Sequence, residues 1–161
     1  MTLPVPFIDV QIRFDADARQ QNPLSLELRE AQDYSLDEHG NLTLLVPIEL
    51  GSYGRVRFFL QPDLQDLTLL GLKIARQESE LPGAPILTNT GGSFHADTQF
   101  KVFSDILAGE IFLELSTWPT EEALDPLGPE GWFYTVGVQS AQAGIVWMDP
   151  RLHNKGEGQR S

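Results

Sequence analysis

The chain has 161 residues, no cysteine, and a formal charge of −12, from 11 Lys and Arg against 23 Asp and Glu. That length suits one domain able to bury roughly 68–70% of its unfolded surface without cross-links. The composition excludes disulfides, thiolate zinc sites and cysteine nucleophiles, and the acidity argues against nucleic acid and anionic membranes as partners, since both demand basic patches.

No apolar run approaches the roughly 20 residues of a membrane helix. Met1–Asp9 lacks a basic stretch and is broken by Pro4 and Pro6, so no secretory leader is expected. Absence of cysteine fits a cytoplasmic setting. Acidity of this size first serves to keep a soluble protein dispersed, and second offers a way to recruit a basic partner.

Along the chain, Phe7–Phe14 alternates, with Ile8, Val10, Ile12 and Phe14 on one face and Asp9, Gln11 and Arg13 on the other. Asp15–Pro23 is polar. Leu24, Leu26 and Leu28 alternate with Ser25, Glu27 and Arg29. Asp37–Asn41 carries turn chemistry, with Gly40 free to take positive φ. Leu42 to Leu50 is the best period-two run, and Pro47 pushes it toward an edge or bulge. After Gly51–Gly54, Val56, Phe58 and Leu60 alternate with Arg55, Arg57 and Phe59. Leu67–Ala75 reads as a further strand.

Arg76–Ser93 is the one long loop. Phe94–Phe103 and Ile106–Ser116 return to strand character. The second is also the best competing helix, which Gly109 weakens. Thr120–Leu124 fits one capped helical turn. Gly131–Pro150 reads as a final hairpin: Trp132, Tyr134, Val136 and Val138 share one face, Ser140–Gln142 breaks, and Ile145–Met148 returns. Asp149-Pro150 ends it.

With no βαβ rhythm, phosphate loop or repeat, these elements predict an all-β chain. The expected architecture is an antiparallel β-sandwich, jelly-roll-like, of about eight or nine strands. It would span residues 1–152, followed by a disordered polar tail over 153–161.

Catalytic signals are sparse. His39, His95 and His153 lack the spacing that puts two imidazoles on one face, and Asp15-Ala16-Asp17 lacks the rest of a calcium loop, so no metal and no cofactor is expected. Ser104, Ser116 and Ser140 lie in no nucleophile elbow. Glu110 and Glu114 form a formal glycosidase pair, with an exposed strand face the commoner meaning. The aromatics carry more. Trp118, Trp132, Tyr134 and Tyr53 lie beside turns or strand ends, where a ring stacks on sugar CH groups while neighbouring polar groups take hydroxyls. The structural alternative is core, which is weighted first for Trp132 and Trp147 and about equally for Trp118.

Four segments together resemble the inclusion-body protein family of the AidA/PixA type. Ile8-Asp9-Val10 opens the domain, with Asn22-Pro23 following. Gly40–Leu44 leads to Leu50–Phe58, similar to that family's turn and Arg-bearing strand. Tyr134–Val138 resembles its penultimate strand, and Gly144–Pro150 its closing strand. Here the closing Trp-Asp-Pro reads Trp147-Met148-Asp149-Pro150, and the inserted residue reverses the face Trp147 takes relative to Asp149. The long Arg76–Ser93 loop also departs from the pattern. The resemblance implies a cytoplasmic β-sandwich without a known reaction that self-associates, and it carries over no catalytic residues. The sequence therefore favours a non-enzymatic acidic sandwich acting by self-association, as a homo-oligomer, or by binding a protein partner. A carbohydrate-binding module is the alternative.

Overall fold

The computed structural model describes residues 5–14, 24–37, 40–46, 51–60, 67–75, 77–88, 93–95, 98–119, 133–141 and 144–148. Trp132, Pro47, the expected helical turn over 120–124 and the expected tail over 153–161 lie outside the described residues.

Eleven strands are described: β1 (Phe7–Phe14), β2 (Leu24–Gln32), β3 (Tyr34–Leu36), β4 (Leu42–Leu44), β5 (Gly54–Leu60), β6 (Leu67–Ala75), β7 (Ser93–His95), β8 (Thr98–Leu107), β9 (Glu110–Pro119), β10 (Phe133–Ser140) and β11 (Gly144–Trp147). A short 3-10 turn at Glu78–Glu80 is the only helical element among the described residues. The chain is all-β and sandwich-like, as its alternation predicts.

A large sheet runs β2-β1-β5-β9-β8-β7, a smaller one runs β11-β10-β6, and β3 pairs with β4 as a separate hairpin. The pairings are antiparallel except one: β1 runs parallel to β5, aligning Asp9 with Arg57 and Gln11 with Phe59. A parallel neighbour needs a long crossover, and the β3–β4 hairpin lies within that crossover in sequence.

Alternation fixes the core. Ile8, Val10 and Ile12 of β1, Val56 and Phe58 of β5, Val102 of β8 and Leu113 and Leu115 of β9 point to one side of the large sheet. Against them pack Leu72 and Ile74 of β6 and Tyr134, Val136 and Val138 of β10. The β3–β4 hairpin adds Tyr34, Leu42 and Leu44 to the same cluster. Its turn forms where Asp37 and Gly40 predict it. Asp37 accepts from the Asn41 backbone and side-chain amides at 2.9 and 2.7 Å, and Gly40 takes φ +86°.

One expectation changes. Ile106–Ser116 is neither one strand nor a helix. Ala108 and Gly109 both take positive φ (53° and 84°), the requirement of a two-residue hairpin turn, and they divide the segment into the ends of β8 and β9. The long loop also has order of its own: Leu87 exchanges backbone hydrogen bonds with Leu72 at 2.8 and 2.9 Å, and Thr88 donates to the Leu70 carbonyl at 2.9 Å. Leu87 and Thr88 thus lie against β6.

The final hairpin forms as predicted, with Gly137 opposite Trp147 and Val138 opposite Val146. Thr135 Oγ1 donates to the Met148 carbonyl and fastens the end of β11. Trp147 is half-buried and lies outside the core. Its ring covers the outward side of Gly137, where an added Cβ would sit 2.6 Å from it, and Lys73 Nζ lies 4.7 Å from its centroid.

Candidate functional site

The outward face of the large sheet concentrates the polar chemistry. On β5 the outward residues are Arg55, Arg57 and Phe59. On β9 they are Glu110, Phe112, Glu114, Ser116 and Trp118. The register lays them in rows. One row is Phe7, Arg55, Ser116, Lys101. The next is Asp9, Arg57, Glu114, Phe103, and the third is Gln11, Phe59, Phe112, Asp105.

The third row explains an anomaly. Phe59 and Phe112 point away from the core, yet are only 3% and 6% exposed. Their rings sit 5.2 Å apart, and two arginines seal them. Arg57 lies 5.5 and 5.4 Å from the two ring centroids. Arg29 lies 4.4 Å above Phe59. A guanidinium over a ring face is attracted by the ring quadrupole and shields the ring from water.

Each of these arginines is held by a carboxylate. Arg57 donates to both oxygens of Asp9, at 3.1 and 3.2 Å. Arg29, from edge strand β2, reaches over β1 and β5. It donates to Gln11 and, at 2.9 and 2.6 Å, to both oxygens of Glu110. The Arg29 hydrogen bonds hold the Glu110 carboxyl below its ordinary value, and the same contact raises Arg29. Glu114 differs. Desolvation pushes its carboxyl up, against the opposing pull of Arg55, Ser116 and Arg57. Its one described hydrogen bond comes from Ser116 Oγ at 3.3 Å.

At the end of this face Tyr53 and Trp118 stack, with centroids 4.6 Å apart and planes 23° apart. Lys101 Nζ lies 5.2 Å from the Trp118 ring. Trp118 Nε1 and Arg55 Nε are buried without a hydrogen-bond partner.

The four aromatics singled out in sequence therefore divide. Tyr53 and Trp118 come together at the surface. Trp132 lies outside the described residues. Tyr134 is corrected: it is 1% exposed, packs on Phe58 at 5.6 Å, and donates its hydroxyl to the Gly40 carbonyl at 2.8 Å. A buried phenol with a satisfied hydroxyl is a core residue, unable to meet a ligand. Of the carboxylates weighed as a catalytic pair, Glu110 is engaged by Arg29, and Glu114 stands nearer the aromatic stack. Sequence reasoning placed Asp9 and the arginines on polar faces but missed that they assemble. The signal was the Arg55-Val56-Arg57 alternation beside Phe59, which marks a face both cationic and aromatic.

The fold and this face define an all-β, sandwich-like protein with an arginine–carboxylate layer over aromatic rings. Comparison with family models, with curated proteins and with solved structures returned no match. No helix among the described residues is long and apolar enough to cross a membrane.

Proposed function

We propose that the protein is a non-enzymatic, cytoplasmic β-sandwich that acts by self-association or by holding a protein partner. The observation that carries this reading is an apolar patch at the tip of the β8–β9 hairpin. Ile106 and Ile111 are cross-strand partners, 63% and 44% exposed, with Leu107 beside them at 49%. Ile106 and Ile111 continue the core-facing side of β8 and β9, while Leu107 lies on the opposite face across from Glu110. Contiguous exposed apolar side chains of this kind mark contact surfaces. The likeness of the closing strands to inclusion-body proteins supports the same reading.

Light scattering across micromolar concentrations tests it. A dimer or larger species is expected, and Ile106→Lys with Ile111→Lys should return it to monomer. A strict monomer at every concentration, with no partner captured, would remove this reading.

The Tyr53–Trp118 stack favours a second reading, a carbohydrate-binding module. A glycan array with intrinsic-fluorescence titration separates the two, because only glycan binding at this end of the sheet perturbs Trp118.

A further inference from the structure

β8 is the edge of the large sheet in all but its first two residues. On one side it pairs with β9 from Thr98 to Leu107, without a register shift. On the other, among the described residues, β7 pairs only with Thr98 and Gln99. From Phe100 to Ile106 no described strand lies on that side.

The other edges are blunted. β2 has a bulge opposite Asp9 and Val10, and carries Glu27, Arg29 and Glu30. β11 is four residues long. Leu87 and Thr88 lie against β6. Bulges, charges, shortness and a covering segment are the usual guards against strand addition. The open part of β8 has no bulge and no proline, and its charges are Lys101 and Asp105.

In a two-residue hairpin the pair flanking the turn exchanges hydrogen bonds. Counting back from Leu107–Glu110, Asp105, Phe103 and Lys101 direct their main-chain groups to β9. Val102 and Ile106 direct theirs to the open side. The Ile106 N–H accordingly donates to Asp105 Oδ1, at 2.8 Å, and not to a strand.

A second copy of β8 fits this edge. Two copies paired antiparallel about a two-fold axis must bring like-directed main-chain groups together, so the axis falls on a residue. Phe103 is the midpoint of the open stretch. With the axis there, Lys101 of each copy stands opposite Asp105 of the other, and both are exposed on the outward face. Phe103, 37% exposed, stands opposite itself. Only Leu107, the last residue before the turn, reaches the level of Gln99. An axis at Ser104 would set Asp105 opposite Phe103. An axis at Val102 would bring Asp105 of the copy to Gln99, where β7 lies. Phe103 is thus the centre that matches the two charges.

We propose that the open edge of β8 pairs with the same edge of a second copy, antiparallel about Phe103, with Lys101 of each copy facing Asp105 of the other. The proposal rests on the self-association reading and adds to it the surface, the register and a closed dimer.

The test is sedimentation of the full chain and its variants over a range of concentrations. Lys101→Asp and Asp105→Lys each set like charges opposite one another twice per dimer, and each should weaken dimerisation by about tenfold or more. The first makes the chain more acidic and the second less, so general repulsion between acidic chains would move the two in opposite directions. Mixed in equal amounts, the two variants should form a heterodimer at near wild-type strength, because each then meets its complement. A chain carrying both exchanges should dimerise as wild type does. In hydrogen exchange followed by NMR, the Val102 and Ile106 amides should gain protection as concentration rises, while the Phe103 amide, bonded to β9, stays protected throughout. If wild type is a monomer at every concentration, both the self-association reading and this edge fall. If it associates but the single variants match it, or neither the mixture nor the double exchange recovers the dimer, self-association stands and this pairing is overturned. Exchange at Val102 and Ile106 that ignores concentration would overturn it as well.

Discussion

Phe58 on β5 and Tyr134 on β10 meet across the two sheets, their ring centroids 5.6 Å apart, while the Tyr134 hydroxyl reaches the Gly40 carbonyl. One side chain thus ties together the large sheet, the small sheet and the β3–β4 turn. Tyr134→Phe keeps the ring and leaves the Gly40 carbonyl without its donor. Urea unfolding should show a loss of about 1–3 kcal/mol, the cost of an unsatisfied buried polar group. Tyr134→Ala should cost about 3–5 kcal/mol.

The same tyrosine sets an alkaline limit. Burial pushes its phenol well above the ordinary value of 10.0, with Asp37 adding to the shift. Its folded pKa exceeds its unfolded one, so above about pH 10 the unfolded chain releases a proton that the folded chain keeps. Stability from this group is complete below pH 10 and falls as pH rises beyond it. Tyr134→Phe should flatten that decline in unfolding curves recorded from pH 8 to 11.

Asp9 and Arg57 are both largely removed from solvent, with side chains 12% and 18% exposed. Asp9→Ala strands the guanidinium over Phe59 and Phe112. The expected loss is up to about 3–5 kcal/mol, since removing one partner of a buried pair leaves an uncompensated charge. Added salt should change it little. Removing Glu27 from its surface pair with Arg13 should cost at most about 1 kcal/mol, because both side chains are more than half exposed. Urea midpoints of the two variants at low and high salt check this contrast.

The period-two pattern made most of the fold legible. Ile8, Val10 and Ile12, and later Tyr134, Val136 and Val138, share faces as their alternation predicts, and both faces are core. Alternation shows which residues share a face, however, and not which face is covered. That is why Tyr134 reads as a ligand residue in sequence and is buried in the structure. The turn at Ala108-Gly109 escaped because alanine is uncommon at positive φ, so Gly109 alone looked like a weak point in a continuous element. The outward face was legible only in pieces. Arg29 and Glu110 are 81 residues apart, and the parallel β1–β5 pairing that aligns Asp9 with Arg57 leaves no local signature. What holds the candidate site together is long-range register, and single-strand periodicity carries none of it.

Glu110 and Glu114 should respond oppositely to acid. Glu110 is lowered by Arg29, so the stability it provides is present above its ordinary value of 4.5 and is lost as pH falls through the depressed one. Glu114 is raised, so its contribution is present below 4.5 and is lost as pH rises through the elevated value. Glu110→Gln should therefore be destabilising at pH 7 by about 1–2 kcal/mol, given that the pair is partly solvated. The difference from wild type should shrink below pH 4.5. Glu114→Gln should hold or gain stability at pH 7. Equal and parallel pH profiles for the two variants would contradict this assignment.

Trp147 and Gly137 make the last test. The register that sets Trp147 opposite Gly137 leaves its ring on the outward side of the small sheet, against a position with no side chain. A methyl group at Gly137 would lie 2.6 Å from two ring carbons, closer than real contacts allow, so the indole has to move. Gly137→Ala should cost about 1–3 kcal/mol in the wild-type background, the usual range for overpacking. Trp147→Ala alone should cost less than the about 3–5 kcal/mol of a fully buried ring, because half-burial removes less surface from water. Combining them separates packing from backbone effects. With the ring gone, the added methyl meets open space, and alanine restricts the unfolded chain more than glycine does. Gly137→Ala should then be neutral or slightly stabilising, giving a coupling energy of about 1–3 kcal/mol in a double-mutant cycle. Additive costs in urea unfolding would mean that the ring does not rest on Gly137.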